Sequence, residues 1–351
     1  MTTALPRPLV EGPSAWIGAE MRRRDDWIYR LSPAEIGEID AAVAAVRGRS
    51  LELAEFGRAD FPLPKFGPVL DRLRDEVLNG RGFVLLRGLP VEGRPIEQNA
   101  AAYWGIGSYL GNARSQNAMG HLLGHVRDLG LATTDPNVRT YQTTERQHFH
   151  TDSCDIVGLL CLKTAKRGGL SSITSSMAIY NAMAKTRPDL LQRLFRPFPT
   201  DRRGEVPEGK KPYFDIPVYN DYADHLSVIY SRTYINSGQR FADARRLAPE
   251  EVEALDYFDD LANDAELRLD MELHPGDMQF LHNHTILHDR TAFEDWSEPE
   301  RKRHLLRLWL AAPGARPLPP IYAERYGSVV IGDRGGIVCP NTRLHAPLEP
   351  V

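Results

Sequence analysis

The sequence predicts an α+β protein whose core is a β-barrel or jelly roll with helices packed outside it. Helical periodicity dominates the part of the chain before residue 112, whereas most later apolar runs are short and bounded by turn-forming residues. Helices followed by many short antiparallel strands are typical of this architecture. No break in composition divides the chain, so we expect a single domain over 1–351: an N-terminal arm with helices over 1–80, the jelly-roll core over 81–312 and a closing tail over 313–351.

Composition indicates a soluble globular protein. The 351 residues are 42% hydrophobic and 26% charged, and 43 Lys and Arg against 47 Asp and Glu give a formal charge of −4. This balance predicts no nucleic-acid or anionic membrane surface. The three cysteines lack zinc-ligand spacing, and the sequence has no run of ~18 apolar residues that could span a membrane. We therefore expect a cytoplasmic protein with a small-molecule partner and no nucleic-acid or membrane partner; homo-oligomer formation is left open.

The predicted helices of the N-terminal part follow an irregular arm over residues 1–30. Ser32-Pro33-Ala34-Glu35 is a capping box with proline at the first helical position, and the helix that it starts ends near Gly48. The patterns that follow predict a helix over 68–79, a buried strand over 82–90 and a helix over 97–110.

The rest of the chain is predicted to be mainly strands. The polar segment 112–135 is expected to be a long loop over a site, because long loops in compact domains are usually functional. The charged segment 197–212 is expected to be a solvated loop. Strands are predicted over 156–162, 171–174, 228–231, 267–273, 278–282 and 303–310, and further helices over 178–184, 188–195 and 249–263.

The segment Gln147-His148-Phe149-His150-Thr151-Asp152 is the candidate metal site. In an extended backbone His150 and Asp152 point to the same side, so they can bind one ion together. Three histidines downstream, His282, His284 and His288, offer a third ligand. Two histidines and one carboxylate form the set used by non-haem Fe(II) oxygenases. A polar turn before a buried strand is the alternative interpretation of the His-x-Asp motif.

Arg307 is the second unusual residue, because it lies in the otherwise apolar strand 303–310. A buried guanidinium without a partner is costly, and a carboxylate binds it through two parallel hydrogen bonds. The carboxylate belongs either to a bound molecule or to an Asp or Glu of the chain. Arg303, on the same side of the strand, supports Arg307 or has a structural role only.

These pieces together resemble the taurine dioxygenase (TauD/TfdA-like) family of Fe(II)/2-oxoglutarate-dependent oxygenases. The resemblance covers about residues 82–310 and begins with the strand at 81–89. The motif His150-Thr151-Asp152 is followed by Asn283-x4-His288-x-Arg290-x-Ala292-Phe293 and then by Arg303-x3-Arg307, which is the most specific part. We therefore expect a double-stranded β-helix (jelly-roll) core with N-terminal and inserted flanking helices, forming one catalytic domain.

The resemblance also implies the chemistry. It selects His288 as the third metal ligand beside His150 and Asp152, with Fe(II) as the metal and 2-oxoglutarate and O2 as cosubstrates. It implies that Arg307 binds the distal carboxylate of 2-oxoglutarate and that Arg303 supports Arg307. Ser171 occupies a nearby position where threonine is more usual. The implied reaction is hydroxylation or oxidative cleavage of a small organic metabolite, with release of succinate and CO2.

The substrate is not identified by the sequence. Residues near the motif, in the loop 112–135 and on the strand near 230 are candidates to line its pocket, with packing or surface roles as the alternative. Other functions left open are a cupin-like metal-dependent hydrolase or isomerase, which has no need of Arg307, and a non-catalytic ligand-binding barrel. The pocket candidates are Asn117, His121, Tyr141, Gln147, Phe149, Ser153, Tyr230 and Arg232.

Overall fold

A computed structural model describes residues 6–131 and 139–350, so residues 132–135 of the predicted loop lie outside it. Short 3-10 turns occur at Pro13–Ala15, Leu53–Glu55, Thr140–Gln142, Pro299–Arg301 and Pro320–Tyr322. The α-helices are α1 (Gly18–Met21), α2 (Pro33–Gly48), α3 (Phe66–Asn79), α4 (Ile96–Leu110), α5 (Ser176–Thr186), α6 (Pro188–Arg193), α7 (Arg232–Gly238), α8 (Pro249–Asn263) and α9 (Ala323–Tyr326).

The strands are short and mostly antiparallel. They are β1 (Ile28–Arg30), β2 (Phe83–Arg87), β3 (Asn112–Ala113), β4 (Gly124–Val126), β5 (Gln147–His150), β6 (Ile156–Lys163), β7 (Arg167–Gly168), β8 (Ser171–Ser175), β9 (Pro197–Asp201), β10 (Tyr213–Pro217), β11 (Tyr219–Tyr222), β12 (His225–Val228), β13 (Arg268–Met271), β14 (Met278–His282), β15 (Ile286–Arg290), β16 (Phe293–Glu294) and β17 (His304–Ala311).

Two sheets form the core. The larger has the order β1-β2-β14-β6-β17-β3, with β4 also paired to β17, and the smaller has the order β13-β8-β15-β5. Side chains of both sheets meet in one cluster, where Phe83 and Leu281 of the larger sheet pack with Ile173 and Ile286 of the smaller. This arrangement of two facing sheets agrees with the predicted jelly roll.

Helices cover the outer face of the larger sheet. The capping box predicted at Ser32 starts α2, with the serine hydroxyl accepting from the Glu35 N–H and the Glu35 carboxylate accepting from the Ser32 N–H. Apolar residues of α2, α3 and α4 share one buried cluster with β2, β6, β14 and β17. Because this core joins the N-terminal helices to the strands, the two parts bury their apolar faces against each other.

The smaller sheet is covered by the helices inserted in the second half of the chain. Side chains of α5, α6 and α8 form a cluster with Phe149 of β5 and Leu287 of β15. The strands that carry two of the candidate metal ligands are therefore packed against helices on their outer side.

Two expectations about local structure were wrong. The segment 197–212 is not only a solvated loop, since β9 pairs with β10 and Asp201 and Arg202 are buried. The strand predicted over 228–231 ends at Val228, and α7 begins at Arg232. Charge and turn residues suggested exposure in the first case, but burial of these groups depends on partners far away in sequence.

The helices were also compared with the length and apolar character that a membrane span requires. None of the helices in the described part of the chain meets both requirements.

Candidate metal centre

Two imidazoles meet across neighbouring strands of the smaller sheet. His288 of β15 lies directly opposite His150 of β5 in the antiparallel register. Residues opposite each other in such a pair project to the same face, and the two ring centroids are 4.1 Å apart. His282 and His284 lie before β15 and are fully buried in other contacts. The pairing of β5 with β15 thus brings His288, and neither of the other two, to His150.

Asp152 follows β5 and completes the group. Its Oδ1 lies 3.7 Å from His150 Nε2 and its Oδ2 lies 3.8 Å from His288 Nε2. Ligand atoms of the three residues all lie within 4.8 Å of one another. Trp309 Nε1–H donates to Asp152 Oδ2 at 2.7 Å, and Arg307 Nη1 lies 3.3 Å from the same oxygen. One carboxylate oxygen is therefore oriented by two donors of β17.

Asn283 fixes the backbone that carries Asp152. Its Oδ1 accepts from the Asp152 N–H at 2.8 Å, and its Nδ2 donates to the carbonyl oxygens of Asp152 and Cys154. The side chain immediately after β14 thus holds the loop immediately after β5. Asn283 was predicted only as a residue of the family motif, because a contact between segments 131 residues apart leaves no local pattern in the sequence.

The protonation states suit a metal ion. His150 Nδ1 donates to the His148 carbonyl oxygen at 2.8 Å, so Nε2, which lies 2.9 Å from Gln147 Nε2 and 3.7 Å from Asp152 Oδ1, is the nitrogen that faces the other ligands. Burial, His150 and Arg307 lower the pKa of His288 to about 3 against the opposing effect of Asp152, so the imidazole is neutral near pH 7.

The carboxyl of Asp152 is ionised for a different reason. Burial raises its pKa, but Arg307, the two imidazoles and the Trp309 N–H lower it by more, so the pKa lies below the ordinary value. Two imidazoles and one carboxylate are the donor set of the facial triad that binds non-haem Fe(II). The residues therefore fit an iron ion.

A narrow cavity of about 30 Å³ leads inward from the triad between the two sheets. Its apolar walls include Leu159 and Leu305, and Ser171, Arg290 and Arg303 line it as well. Ser171 is buried and its hydroxyl bonds Gln279 Oε1 at 3.1 Å. The cavity therefore combines an apolar passage with hydroxyl and guanidinium groups.

Two of the three arginines that line this inner cavity, Arg290 and Arg303, are buried and incompletely paired. Both lie against the Phe293 ring, with Arg290 Cζ 4.8 Å and Arg303 Cζ 5.2 Å from its centroid. Within the described residues, Arg290 Nε and Nη1 and Arg303 Nη1 have no hydrogen-bond partner. Burial lowers the pKa of Arg290 to about 9 and that of Arg303 to about 10. Such groups favour a bound carboxylate.

Arg307 has partners of its own. Its Nε donates to Gln116 Oε1 at 2.7 Å, its Nη1 approaches Asp152, and its guanidinium lies 4.6 Å from the Tyr141 ring centroid. Asp152 is thus a carboxylate partner of Arg307 within the chain, which was one of the two alternatives for this arginine. Arg307 lines both the inner cavity and a second, outer one.

The outer cavity has a volume of about 110 Å³ and opens at His150 and Asp152. Six of the predicted pocket residues line it, although several are already engaged: the Tyr230 hydroxyl donates to Asp259 at 2.6 Å, and Arg232 pairs with Asp256 and Asp259. These six are Tyr141, Gln147, Phe149, Ser153, Tyr230 and Arg232.

Asn117 and His121, the other two predicted pocket residues, line neither the inner nor the outer cavity. Asn117 Nδ2 lies 3.1 Å from His121 Nδ1, and the His121 ring packs edge-on against His345 at 4.8 Å. The loop that carries them faces the C-terminal segment, and its neighbour Gln116 is the residue that reaches Arg307.

Sequence analysis missed several residues of the outer cavity. Arg203 belongs to a basic spot that was interpreted as solvated, and Arg325 lies in the segment interpreted as a closing tail. Trp309 lies in the predicted strand 303–310 and was given no role. No local signal identifies Arg325, because α9 reaches the cavity only through the packing of the chain after β17. Among the other lining residues that were not predicted are Gln116, Arg139 and Arg146.

Comparisons with known proteins agree with this geometry. The model of the family described as taurine catabolism dioxygenase TauD, TfdA family matches residues 48–309. The chain is 32% identical over 332 residues to FR-33289 synthase of Streptomyces rubellomurinus, covering 93% of this chain and 97% of that protein. It is 33% identical over 319 residues to a taurine hydroxylase-like protein of Stachybotrys chartarum, covering 86% and 81%.

Solved structures support the fold. A crystal structure of asparagine oxygenase has a TM-score of 0.65 at 16% identity, covering 92% of this chain and 100% of that one. The non-heme iron oxygenase OrfP in complex with Fe and α-ketoglutaric acid has a TM-score of 0.61 at 15% identity, covering 81% and 93%. The predicted resemblance is confirmed: the chain belongs to the TauD/TfdA family of Fe(II)/2-oxoglutarate-dependent dioxygenases, whose core is a double-stranded β-helix.

Proposed function

We propose that His150, Asp152 and His288 hold the iron of a dioxygenase that oxidises a small organic metabolite. The observation that carries the proposal is the meeting of their ligand atoms within 4.8 Å beside a cavity with two buried, incompletely paired guanidiniums. Iron, when bound, supplies the activation of O2 that couples conversion of 2-oxoglutarate to succinate and CO2 with insertion of one oxygen atom into a substrate C–H bond. The relatives support a small-molecule substrate, since one is named uridine-5'-phosphate dioxygenase.

The inner cavity suits the distal carboxylate of 2-oxoglutarate. The family resemblance implied this role for Arg307, with Arg303 and Ser171 in support, but the contacts favour Arg303 as the principal partner. Arg307 already bonds Gln116 and approaches Asp152, whereas Arg303 Nη1 has no partner among the described residues. Arg290 adds a second guanidinium against the same phenylalanine ring. The apolar walls of Leu159 and Leu305 exclude water from the methylene chain between the two ends.

Residues of β17 and β14 prepare the metal ligands. Trp309 and Arg307 orient one oxygen of Asp152, while Asn283 holds its backbone. Hydrogen bonds of this kind commonly change metal affinity or activity about 10- to 100-fold. Because one core joins the N-terminal helices to the sheets, we further propose that residues 1–351 act as one catalytic domain. A cytoplasmic location and the absence of nucleic-acid and membrane partners stay predictions.

The test of the metal site is the visible charge-transfer band that Fe(II) and 2-oxoglutarate give together without oxygen. We expect the band with the intact chain and its loss in Asp152→Ala and His288→Ala. The control is His274→Ala, because His274 is exposed just before β14 and lines neither cavity. A band that survives in both ligand variants would contradict the assignment.

The same band tests the cosubstrate site. Arg303→Gln is expected to raise the 2-oxoglutarate concentration at half-saturation about 10-fold or more, since a hydrogen bond to a charged group is worth about 1.5–3 kcal/mol. Arg307→Gln is expected to have the smaller effect on 2-oxoglutarate. The reverse order would return the principal role to Arg307. A cupin-like hydrolase or isomerase would show no dependence on 2-oxoglutarate at all.

A further inference from the structure

The outer cavity is strongly basic. Six arginines line it: Arg139, Arg146, Arg203, Arg232, Arg307 and Arg325. Four of them form ion pairs with carboxylates, namely Arg139 with Glu205, Arg146 with Asp289, Arg232 with Asp256 and Asp259, and Arg307 with Asp152. Among the residues that the structure describes, Arg203 and Arg325 have no carboxylate partner for their side chains. The unpaired charge of the cavity is therefore concentrated at these two.

Arg325, in the C-terminal segment, contacts the loop after β5 that carries Asp152, here called the metal loop. Its Nε donates to Ser153 Oγ at 2.7 Å, and its guanidinium lies 5.8 Å from the Phe214 ring centroid. Ser153 directly follows the candidate iron ligand Asp152. Burial lowers the pKa of Arg325, while the nearest carboxylate that affects it, Glu205, is already paired with Arg139. The Nη groups of Arg325 thus stay available beside the triad.

Arg203 joins the same cluster through Tyr234. The Arg203 and Arg139 guanidiniums lie 5.7 Å and 5.5 Å from the Tyr234 ring centroid. Arg203 Nε is buried and has no hydrogen-bond partner within the described residues. Glu205 is paired with Arg139, so Arg203 and Arg325, which have no carboxylate partner within the described residues, leave a formal charge of +2 in the cavity. Partly buried guanidiniums without a carboxylate partner favour an anion of matching charge.

We propose that Arg203 and Arg325 bind a dianionic phosphoryl group of the substrate, carried by a phosphate monoester or a phosphonate. A tetrahedral dianion matches the formal charge and offers several acceptor oxygens to the guanidinium N–H groups. The inference rests on the proposed function, since the phosphoryl group would place the neighbouring carbons of a small substrate beside Asp152. A sulfonate or carboxylate, with one negative charge, would leave one guanidinium uncompensated.

Calorimetric titration of the full chain without iron tests this site separately from the oxygenase chemistry. The probes are propyl phosphate, propylphosphonate and propanesulfonate at about pH 8, where a phosphate monoester with a second pKa of ~6 is dianionic. We expect at least one of the two phosphoryl probes to bind about 10-fold or more tightly than the sulfonate. The phosphoryl probe that binds more tightly shows whether the substrate group is a phosphate monoester or a phosphonate. Equal binding of propanesulfonate would overturn the proposal.

Substitutions locate the binding. Arg203→Ala and Arg325→Ala are each expected to weaken binding of the tighter phosphoryl probe about 10- to 100-fold, the loss of one charged hydrogen-bonding partner. Arg325→Lys, which keeps the charge, should lose less. The control is Arg47→Ala, because Arg47 is exposed on α2 far along the chain from the cavity. Unchanged binding in both alanine variants would overturn the proposal.

The charge-transfer band separates this proposal from the preceding one. Arg203→Ala and Arg325→Ala are expected to keep the band of Fe(II) and 2-oxoglutarate, which also shows that they fold. If the intact chain lacks the band but the phosphoryl probe binds and depends on Arg203 and Arg325, the anion site stands and the oxygenase assignment fails. If the band is present and the phosphoryl probes do not bind, the anion site fails alone.

Discussion

At the level of single residues, the candidate iron site depends on how Asp152 is held. Its carboxylate is 9% exposed, yet it stays ionised because Arg307, two imidazoles and the Trp309 N–H surround it. Trp309 donates the shorter hydrogen bond, 2.7 Å against 3.3 Å from Arg307. A buried carboxylate that loses such a donor is less well oriented and less readily ionised. Trp309 is thus a positioning residue for the metal ligand.

Substitution of Trp309 tests this role. Trp309→Phe removes the indole N–H and keeps an aromatic ring, so we expect the affinity for Fe(II) to fall about 10- to 100-fold. Titration of the charge-transfer band with Fe(II) at saturating 2-oxoglutarate measures the change. Trp296→Phe is the control, because Trp296 lies against Arg301 and lines neither cavity. An Fe(II) affinity that is the same in Trp309→Phe as in the unaltered chain would rule out the role.

At the level of elements, the site depends on the central strands of both sheets. β15 lies between β5 and β8 and places His288 opposite His150. β6 lies between β14 and β17, and its outer face packs against α4. Gly158 of β6 permits this contact, because a Cβ built there would lie 2.6 Å from Tyr103 Oη and 2.8 Å from Phe280 Cε1. The close approach of helix and sheet therefore requires glycine at this position.

Gly158→Ala is expected to destabilise the fold by about 1–3 kcal/mol, the usual cost of overpacking a core. Chemical denaturation measures the free energy of unfolding. The matched control is Gly37→Ala in the exposed face of α2, where a Cβ meets nothing within 4 Å; alanine in a helix interior is expected to stabilise it by roughly 0.5–1 kcal/mol. If both variants were as stable as the unaltered chain, the tight helix–sheet contact would be disproved.

At the level of the whole molecule, the C-terminal segment holds the metal loop in place. Arg334 pairs with the buried Asp155 at 2.7 Å, and the Gly336 N–H donates to the Ser153 carbonyl at 2.7 Å. Gly335 has φ +83° and a Cβ there would lie 2.7 Å from the Ser153 oxygen, so glycine permits the approach. The segment predicted as a closing tail thus packs directly on the loop that carries Asp152.

The molecule also buries several histidines in the neutral form. Burial lowers the pKa of His282 well below its ordinary value, that of His284 to about 4 and that of His304 to about 3. His304 bonds His125 at 2.8 Å, and burial lowers the pKa of His125 as well. His284 bonds Asp155, which keeps its pKa from falling further. These imidazoles are uncharged in the folded protein at neutral pH.

Acid is therefore expected to unfold the protein. The unfolded chain binds protons at these histidines below about pH 6.5, whereas the folded chain resists protonation until lower pH, so stability is lost as the pH falls through this window. At pH 5 the folded-state pKa of about 4 for His284, against about 6.5 in the unfolded chain, lowers the free energy of unfolding by on the order of 2 kcal/mol.

Thermal unfolding followed by circular dichroism at about pH 7.5 and pH 5 measures the effect. The melting temperature should fall at the lower pH, and His304→Gln should reduce the fall because one buried proton site is removed. His148→Ala, at an exposed position, should leave the fall unchanged. A melting temperature that stays constant between the two pH values would contradict burial of neutral imidazoles.

Features that depend on neighbouring residues could be predicted from the amino-acid sequence. The capping box at Ser32, the strand after Asp155 and the placement of His150 and Asp152 on one side follow from local periodicity, and the ordered motifs were enough to predict the family. Alternation along an extended chain specifies a face regardless of the rest of the fold.

Contacts between groups far apart in sequence could not be predicted, because they depend on how the strands and the C-terminal segment pack. The pairing of β5 with β15 brings His288 to His150. Arg307 is bound by Gln116 and Asp152. The packing of the C-terminal segment places Arg325 at the outer cavity. Periodicity indicates which side of an element is buried, but it contains no information about the element that covers that side. Charge balance within the cavity follows from these long-range contacts, which explains why its basic character could not be predicted from the chain alone.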